Sequence, residues 1–173
     1  MATLIKERRI STDSWRLLEP GPNGALPEVP AAGDVIVPLA AWQAGRVALL
    51  ARTGRLGVWL DSSEGPETVA ADLGHFAVIA VNFQKFSDGR GYSTARLLRE
   101  RHGYKGELRA VGDVLRDHLL FLEQCGFDAC ALRDDQDAED ALRAFDDFSE
   151  TYQASATQPV PLFRRRLAAR TTA

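Results

Sequence analysis

Short apolar segments of β type alternate with amphipathic segments of helical period from residue 34 onward. The predicted strands are residues 35–39, 56–60, 77–83, 107–111 and 129–132. The predicted helices are residues 41–52, 66–73, 93–102, 114–125 and 138–148. The segment 77–83 is almost continuously apolar, which is typical of a central strand that is covered on both faces.

Five strand-helix units in series, joined by short loops, predict an α/β fold with a mainly parallel sheet and right-handed crossovers. Two arrangements stay open: an open doubly wound sheet, and a curved sheet that resembles part of a (β/α) barrel. Both arrangements place ligands at the carboxyl ends of the strands. We therefore expect the functional residues in the loops that follow the strands.

The chain before the first unit predicts a β-hairpin and then a surface loop. Residues 4–8 and 14–18 are extended segments on either side of the turn-prone sequence Ser11-Thr-Asp13, so the hairpin is predicted for residues 1–18. Residues 19–33 contain four prolines and three glycines, which disfavour regular structure.

One domain is predicted over residues 1–153, and its strand-helix units occupy residues 34–153. The remaining residues, 154–173, have little periodicity and carry three consecutive arginines from Arg164. This composition predicts a flexible basic tail. The alternative is a segment that docks on a partner.

The composition restricts the class of protein. The chain has 173 residues, of which 45% are hydrophobic, a formal charge of −3 and a pI of about 5.6. This balance predicts no nucleic-acid partner. The sequence has no signal-like apolar segment and no stretch that would span a bilayer, so we expect a cytoplasmic protein without a membrane partner.

The cysteines and histidines do not predict a metal site. Cys125 and Cys130 are too few for a disulfide framework, and their positions at a helix end and in a strand predict buried thiols. His75, His102 and His118 lack metal-binding spacing and are expected to be ordinary helix-end or surface residues.

The loop after residues 77–83 is the first candidate site. It contains Lys85, Asp88 and Arg90 beside two glycines, and the next helix begins after it. Glycine permits close backbone approach and a helix N-terminus favours an anion, so the loop predicts a site for sulfite, sulfate, phosphate or a carboxylate. It is neither a dinucleotide fingerprint nor a P-loop. The alternative is a tight turn before a helix that Ser93 caps.

Two further loops, which carry Asp113 with Arg116 and Arg133, open on the same edge of a parallel sheet. If their arginines converge with Lys85 and Arg90, the site has a positive field. The alternative is that each arginine pairs with a nearby aspartate. The predicted anion-binding residues are Lys85, Asp88, Arg90, Gly91, Tyr92, Ser93, Asp113, Arg116 and Arg133.

Several motifs resemble a known family. They are FQKFSDGRGYSTARLLRER from Phe83, YKGELRAVGDVLRD from Tyr104, CGFD from Cys125 and FDDF from Phe145. The chain is similar over residues 34–152 to an uncharacterised bacterial family of unknown function. Its members are commonly labelled as oxidoreductases of sulfite reduction and tend to be encoded beside sulfite reductase.

The resemblance implies a part in assimilatory sulfate or sulfite reduction. The sequence has neither iron–sulfur ligands nor a flavin or nicotinamide fingerprint, so the cofactor is unknown. One hypothesis is an accessory protein that binds a small oxyanion or the sulfite reductase at the carboxyl edge of the sheet. The other is an oxidoreductase that uses a nucleotide cofactor there. A homo-oligomer is compatible with both.

Overall fold

The structure is a computed structural model that describes residues 3–171. Residues 1, 2, 172 and 173, at the ends of the predicted domain and tail, lie outside the described residues. The strands are β1 Leu4–Lys6, β2 Arg9–Ser11, β3 Arg16–Leu17, β4 Val35–Pro38, β5 Leu56–Leu60, β6 Val78–Phe83, β7 Glu107–Gly112 and β8 Ala129–Ala131. The α-helices are α1 Leu39–Ala51, α2 Arg90–Glu100, α3 Leu119–Cys125, α4 Ala138–Arg143 and α5 Leu162–Thr171. The short 3₁₀ helices are Pro22–Gly24, Pro66–Thr68, Ala70–His75, Arg116–His118 and Ala144–Asp146.

All eight strands belong to one sheet in the order β2-β1-β8-β7-β6-β5-β4-β3. Neighbouring strands from β3 to β8 are parallel, whereas β1 is antiparallel to both β8 and β2. The prediction of an α/β fold with a mainly parallel sheet and an N-terminal hairpin is therefore confirmed.

The strand order decides between the two predicted arrangements. From β3 to β8 each strand lies beside the next one in sequence, without the reversal that a doubly wound sheet requires. The chain from Ser11 at the end of β2 to Arg16 at the start of β3 spans at most about 18 Å, whereas the edges of a flat eight-stranded sheet would lie about 33 Å apart. The sheet therefore curls into a half-barrel.

The predicted hairpin exists, but its second strand was wrongly assigned. Ile5 of β1 lies opposite Ile10 of β2, and the turn between them uses Glu7 and Arg8 with φ of 50° and 59°. Such left-handed turns usually contain glycine or asparagine, so the sequence carried no turn signal there. Arg8 instead stabilises the turn through two 2.8 Å hydrogen bonds to Glu123 of α3.

The predicted second strand forms β3, which lies at the opposite edge of the sheet. There Arg16 lies beside Val35 of β4 in parallel register. The segment Thr12 to Trp15 crosses between the two edges of the sheet.

The curled sheet has two different faces. Its helix-covered face carries alternate strand residues, such as Ile79, Val81 and Phe83 of β6, which belong to the main core. Its inner face carries a smaller apolar cluster, which contains Ile36, Val78, Ala80 and Val111 with Trp15, Trp59 and Ala131 packed against it. The apolar run of β6 is long because both of its faces are buried.

Cys125 and Cys130 are both buried, as predicted. Burial raises the pKa of the Cys125 thiol and raises that of Cys130 to about 12. Among residues 3–171 no group of three or more His, Cys, Asp or Glu side chains has a metal-binding arrangement.

The C-terminal segment, for which no element was predicted, contains α5. Before this helix, the Ala156 N–H donates to the Gln124 carbonyl at 2.9 Å, and Ser155 is buried. Arg165 of α5 donates to Glu150 at 2.7 Å. Within the described residues no helix is both long enough and apolar enough to cross a bilayer.

Candidate functional site

The loop after β6 leads directly into the first turn of α2 at the carboxyl edge of the sheet. This helix begins at Arg90, three residues earlier than predicted, and Ser93 is an exposed residue of its first turn rather than its cap. The earlier start depends on Gly91, because a Cβ at that position would lie 2.7 Å from the Phe83 ring. Glycine lets the helix begin against the end of β6.

Arg90 is held by two oxygen-bearing side chains at this edge. Its Nε and Nη2 donate to the two carboxylate oxygens of Asp88 at 2.9 and 2.7 Å, and Nη2 also donates to the Ser62 hydroxyl at 2.8 Å. The hydrogen bond from Arg90 holds the pKa of Asp88 well below its usual value. The guanidinium therefore has a fixed position in front of α2.

Asp113 connects the loops that follow β6, β7 and β8. Its carboxylate accepts the Phe86 N–H at 2.8 Å and an Arg133 N–H at 2.6 Å, so it does not cap the helix predicted after it. Arg133 also donates to Asp135 at 2.6 Å, which lowers the pKa of Asp135 to about 2. These loops therefore support one another through charged hydrogen bonds.

The other predicted residues lie outside these two groups. Arg116 pairs with Asp147 at 2.9 Å and Asp140 at 3.2 Å, on the side of α4. The Tyr92 ring packs on Phe83 with a centroid distance of 5.1 Å, and burial raises its pKa. Lys85 is exposed and has no ion pair within the described residues.

The charges at this edge do not add up to a positive site. The cations there are Lys85, Arg90 and Arg133. The carboxylates are Asp61, Glu64, Asp88, Asp113 and Asp135. Any anion must compete with carboxylates that already hold both arginines.

The sequence reading missed a polar cluster at the ends of β5 and β6. The Asp61 carboxylate accepts hydrogen bonds from Asn82 at 3.1 Å and from Gln84 at 2.9 and 2.7 Å. The available signal was the alternation in β6, which places Asn82 and Gln84 on one face where the apolar strand ends.

A cavity of about 270 Å³, the mouth cavity, lies beside this cluster on the inner face. Its walls are Leu17 and Glu19 after the crossing segment, together with Trp59, Asn82, Val111 and Gly112 at the ends of three strands. The Trp59 indole N–H donates to the Leu18 carbonyl at 2.9 Å, which fixes the ring. The cavity occupies the position where half-barrels and barrels bind ligands.

His118 is buried beneath the loop that follows β6, although it was expected to be an ordinary helix-end or surface residue. Its Nδ1 accepts the Leu115 N–H at 3.3 Å, and its ring stacks on Phe86 with a centroid distance of 4.8 Å. Burial lowers the pKa of the imidazole. The Nε2 atom has no hydrogen-bond partner within the described residues.

A family model matches residues 57–163, more than half of the chain, and its description is a bacterial protein of unknown function, DUF934. The chain belongs to this family. The resemblance to an uncharacterised bacterial family is confirmed at this level. Comparison with curated proteins finds no match. The part matched to DUF934 extends from β5 into α5, so it contains the Arg90 loop and Asp113, whereas Leu17 and Glu19 of the mouth cavity precede it.

Proposed function

We propose that this DUF934 protein is an accessory protein of sulfite reduction that binds a small oxyanion at the carboxyl edge of its sheet. One observation carries the binding proposal: the Arg90 guanidinium is held in place in front of the first turn of α2. The connection with sulfite rests on the sequence resemblance described above.

The proposed site is smaller than the set of residues predicted from the sequence. Arg90 uses Nε and Nη2 for Asp88 and Ser62, and its Nη1 has no acceptor in the part of the chain that the structure describes, so it can donate to a ligand. The exposed Lys85 supplies a further donor, and the N-terminal end of the α2 dipole favours a negative charge. The N–H groups of Arg90 and Tyr92 are already used, since they donate to Asp88 and to the Gly89 carbonyl. Arg116 is excluded from the proposed site because its guanidinium faces Asp147 and Asp140.

Asp88 limits the affinity of the site for any anion. An oxyanion that approaches Arg90 must share the guanidinium with this carboxylate, and the repulsion lowers affinity for any anion. A compact oxyanion with several acceptor oxygens can accept from Arg90 Nη1 and from Lys85 together. We therefore expect weak, salt-sensitive binding that favours sulfite or sulfate over a carboxylate.

Calorimetric titration with sulfite, sulfate, phosphate and adenine nucleotides tests the proposal. We expect Arg90→Ala to weaken oxyanion binding by about tenfold or more, because charge-assisted hydrogen bonds are worth about 1.5–3 kcal/mol. Arg96→Ala is the matched control, since Arg96 lies on the same helix and, among residues 3–171, its ion pair is with Glu100 at 2.9 Å. Absence of binding at millimolar anion, or equal loss in both variants, contradicts the site.

Two exposed aromatic side chains beside the loop support a role as a partner of sulfite reductase. Phe86 is 57% exposed and Phe121 is 53% exposed, and aromatic residues are enriched in protein interfaces. Co-purification from sulfate-grown cells tests this part. We expect the reductase to be recovered with the parent chain and lost with Phe86→Ala; its absence from both preparations contradicts the partnership.

A further inference from the structure

The mouth cavity is large enough for a ligand of one or two rings, and one of its walls is aromatic. Its volume of about 270 Å³ lies near the lower end of small-molecule pockets, and a cavity of about 150 Å³ already accommodates benzene. Trp59 forms its aromatic wall, and the hydrogen bond to the Leu18 carbonyl holds that indole in one orientation. A fixed aromatic face favours stacking by a planar ligand.

The polar groups of the cavity accept hydrogen bonds. Asn82 uses its Nδ2 to donate to Asp61, whereas its Oδ1 has no donor within the described residues. Gly112 keeps that oxygen accessible: its φ is 92°, and a side chain at this position would collide with Asn82 Oδ1. The glutamate at the rim, Glu19, is a second acceptor.

The charge of the walls determines which ligands are excluded. None of the described residues that line the cavity is a cation, whereas Glu19 lines it and Asp61 lies behind Asn82. An anion there would meet two carboxylates without a compensating cation among the described lining residues. A neutral or cationic ligand with N–H groups would satisfy the free acceptors.

We propose that the mouth cavity binds a planar heterocycle or aromatic amidine of one or two rings that carries N–H donors and is neutral or cationic. The site goes beyond the proposed oxyanion function. It is formed by Trp59, Asn82 and Glu19 rather than by Arg90 and Lys85, and its ligand has the opposite charge preference.

Three probes of nearly equal shape test the proposal by NMR: benzamidine, benzamide and benzoate. The chain has three tryptophans, whose indole N–H signals can be followed separately, and Trp59→Phe identifies the Trp59 signal. We expect benzamidine and benzamide to shift the Trp59 signal saturably. The signal of Trp42, which is buried on the helix-covered side, should not move. Benzoate should bind about tenfold or more weakly than benzamidine.

Two variants at other positions test the cavity even if the Trp59→Phe protein is unstable. Leu17→Trp fills the cavity from a residue that is 38% exposed, and we expect it to weaken benzamidine binding by about tenfold or more. Phe148→Ala, which truncates an exposed aromatic residue away from the cavity, should leave binding unchanged. The proposal is overturned if no probe shifts Trp59, if benzoate binds as tightly as benzamidine, or if Leu17→Trp binds normally. None of these outcomes depends on oxyanion binding by Arg90.

Discussion

Arg99, near the end of α2, connects the starts of β7 and β8. Its guanidinium donates to the carbonyls of Tyr104 at 2.7 Å, Gly106 at 2.9 Å and Gly126 at 2.9 Å, and it pairs with Asp128. These carbonyls lie in the irregular segments that lead into the two strands. The side chain is mostly buried, so the carbonyls would lose hydrogen bonds that water replaces poorly.

We expect Arg99→Ala to lower the free energy of unfolding by about 2–3 kcal/mol, since several charged hydrogen bonds are lost at once. Arg96→Ala removes an exposed ion pair with Glu100 on the same helix and should cost about 0.5 kcal/mol or less. Urea denaturation of both variants measures the difference. Equal losses would show that the carbonyl contacts contribute no more than a surface ion pair.

His118 should make stability depend on pH near neutrality. Burial lowers the pKa of the folded imidazole, although Asp113 and Asp117 act in the opposite direction. Below about pH 6.5 the imidazole of the unfolded chain therefore binds a proton that the folded chain does not bind. As the pH is lowered, the free energy of unfolding decreases by at most about 1.4 kcal/mol per pH unit. Above that pH both states are neutral, and the residue adds no pH dependence.

We expect the free energy of unfolding to fall more steeply between pH 7.5 and 5.5 in the parent than in His118→Asn. The asparagine oxygen can still accept the Leu115 N–H but does not titrate. Urea denaturation at several pH values gives both slopes. Equal slopes would mean that His118 has the same pKa in the folded and unfolded chains.

At the scale of elements, the C-terminal segment is joined to the rest of the domain by backbone hydrogen bonds and by an exposed ion pair. The turn at residues 155–158 is anchored by the hydrogen bond from Ala156 to Gln124, and α5 by the ion pair from Arg165 to Glu150. Phe163 of this helix remains 48% exposed. The apolar residues of α5 do not recur with a helical period, which explains why no helix was predicted there.

We predict that a chain ending at Gln153 still melts in one cooperative transition. The truncation removes the hydrogen bonds from Ala156 to Gln124 and from Leu162 to Tyr152, together with the contacts of Arg165 with Glu150 and the Thr151 carbonyl. Together they are worth about 2–3 kcal/mol, or about 4–12 °C in melting temperature. A chain ending at Val160 keeps the buried turn and loses only α5, so it should lie closer to the parent. Aggregation or a broad transition in both shortened chains would show that α5 packs as part of the domain.

At the scale of the whole molecule, the four residues between β2 and β3 hold the half-barrel closed at its amino end. Asp13 accepts a hydrogen bond at 2.7 Å from Arg109, which is only 3% exposed on the inner face of β7. The Trp15 ring lies 4.8 Å beneath the guanidinium of Arg55, which follows α1. Burying the Arg109 charge without a partner would be strongly destabilising, but the carboxylates of Glu107 and Asp13 neutralise it.

The candidate site was partly predictable at the same scale. The parallel units placed the loop of residues 83–89 at the carboxyl edge, and Asp88 and Arg90 are close enough in sequence for their pairing to be considered beforehand. Arg133 meets Asp113 across 20 residues, and Arg116 meets Asp147 across 31. The sequence could not assign these partners, because many aspartates lie within reach of each arginine until the helices are placed.

Hydrophobic period and turn composition by themselves determined the strand-helix units, the central place of β6 and the buried cysteines, because these depend on local burial patterns. Only the tertiary structure decided that residues 14–18 pair at the edge of the sheet opposite to β2 and that the sheet curls. It also decided that residues as distant in the chain as Leu17 and Gly112 line one cavity. These features depend on contacts between segments that are distant in the chain. Edge pairing and closure depend on backbone hydrogen bonds, which every residue type except proline can donate, so no local pattern specifies them.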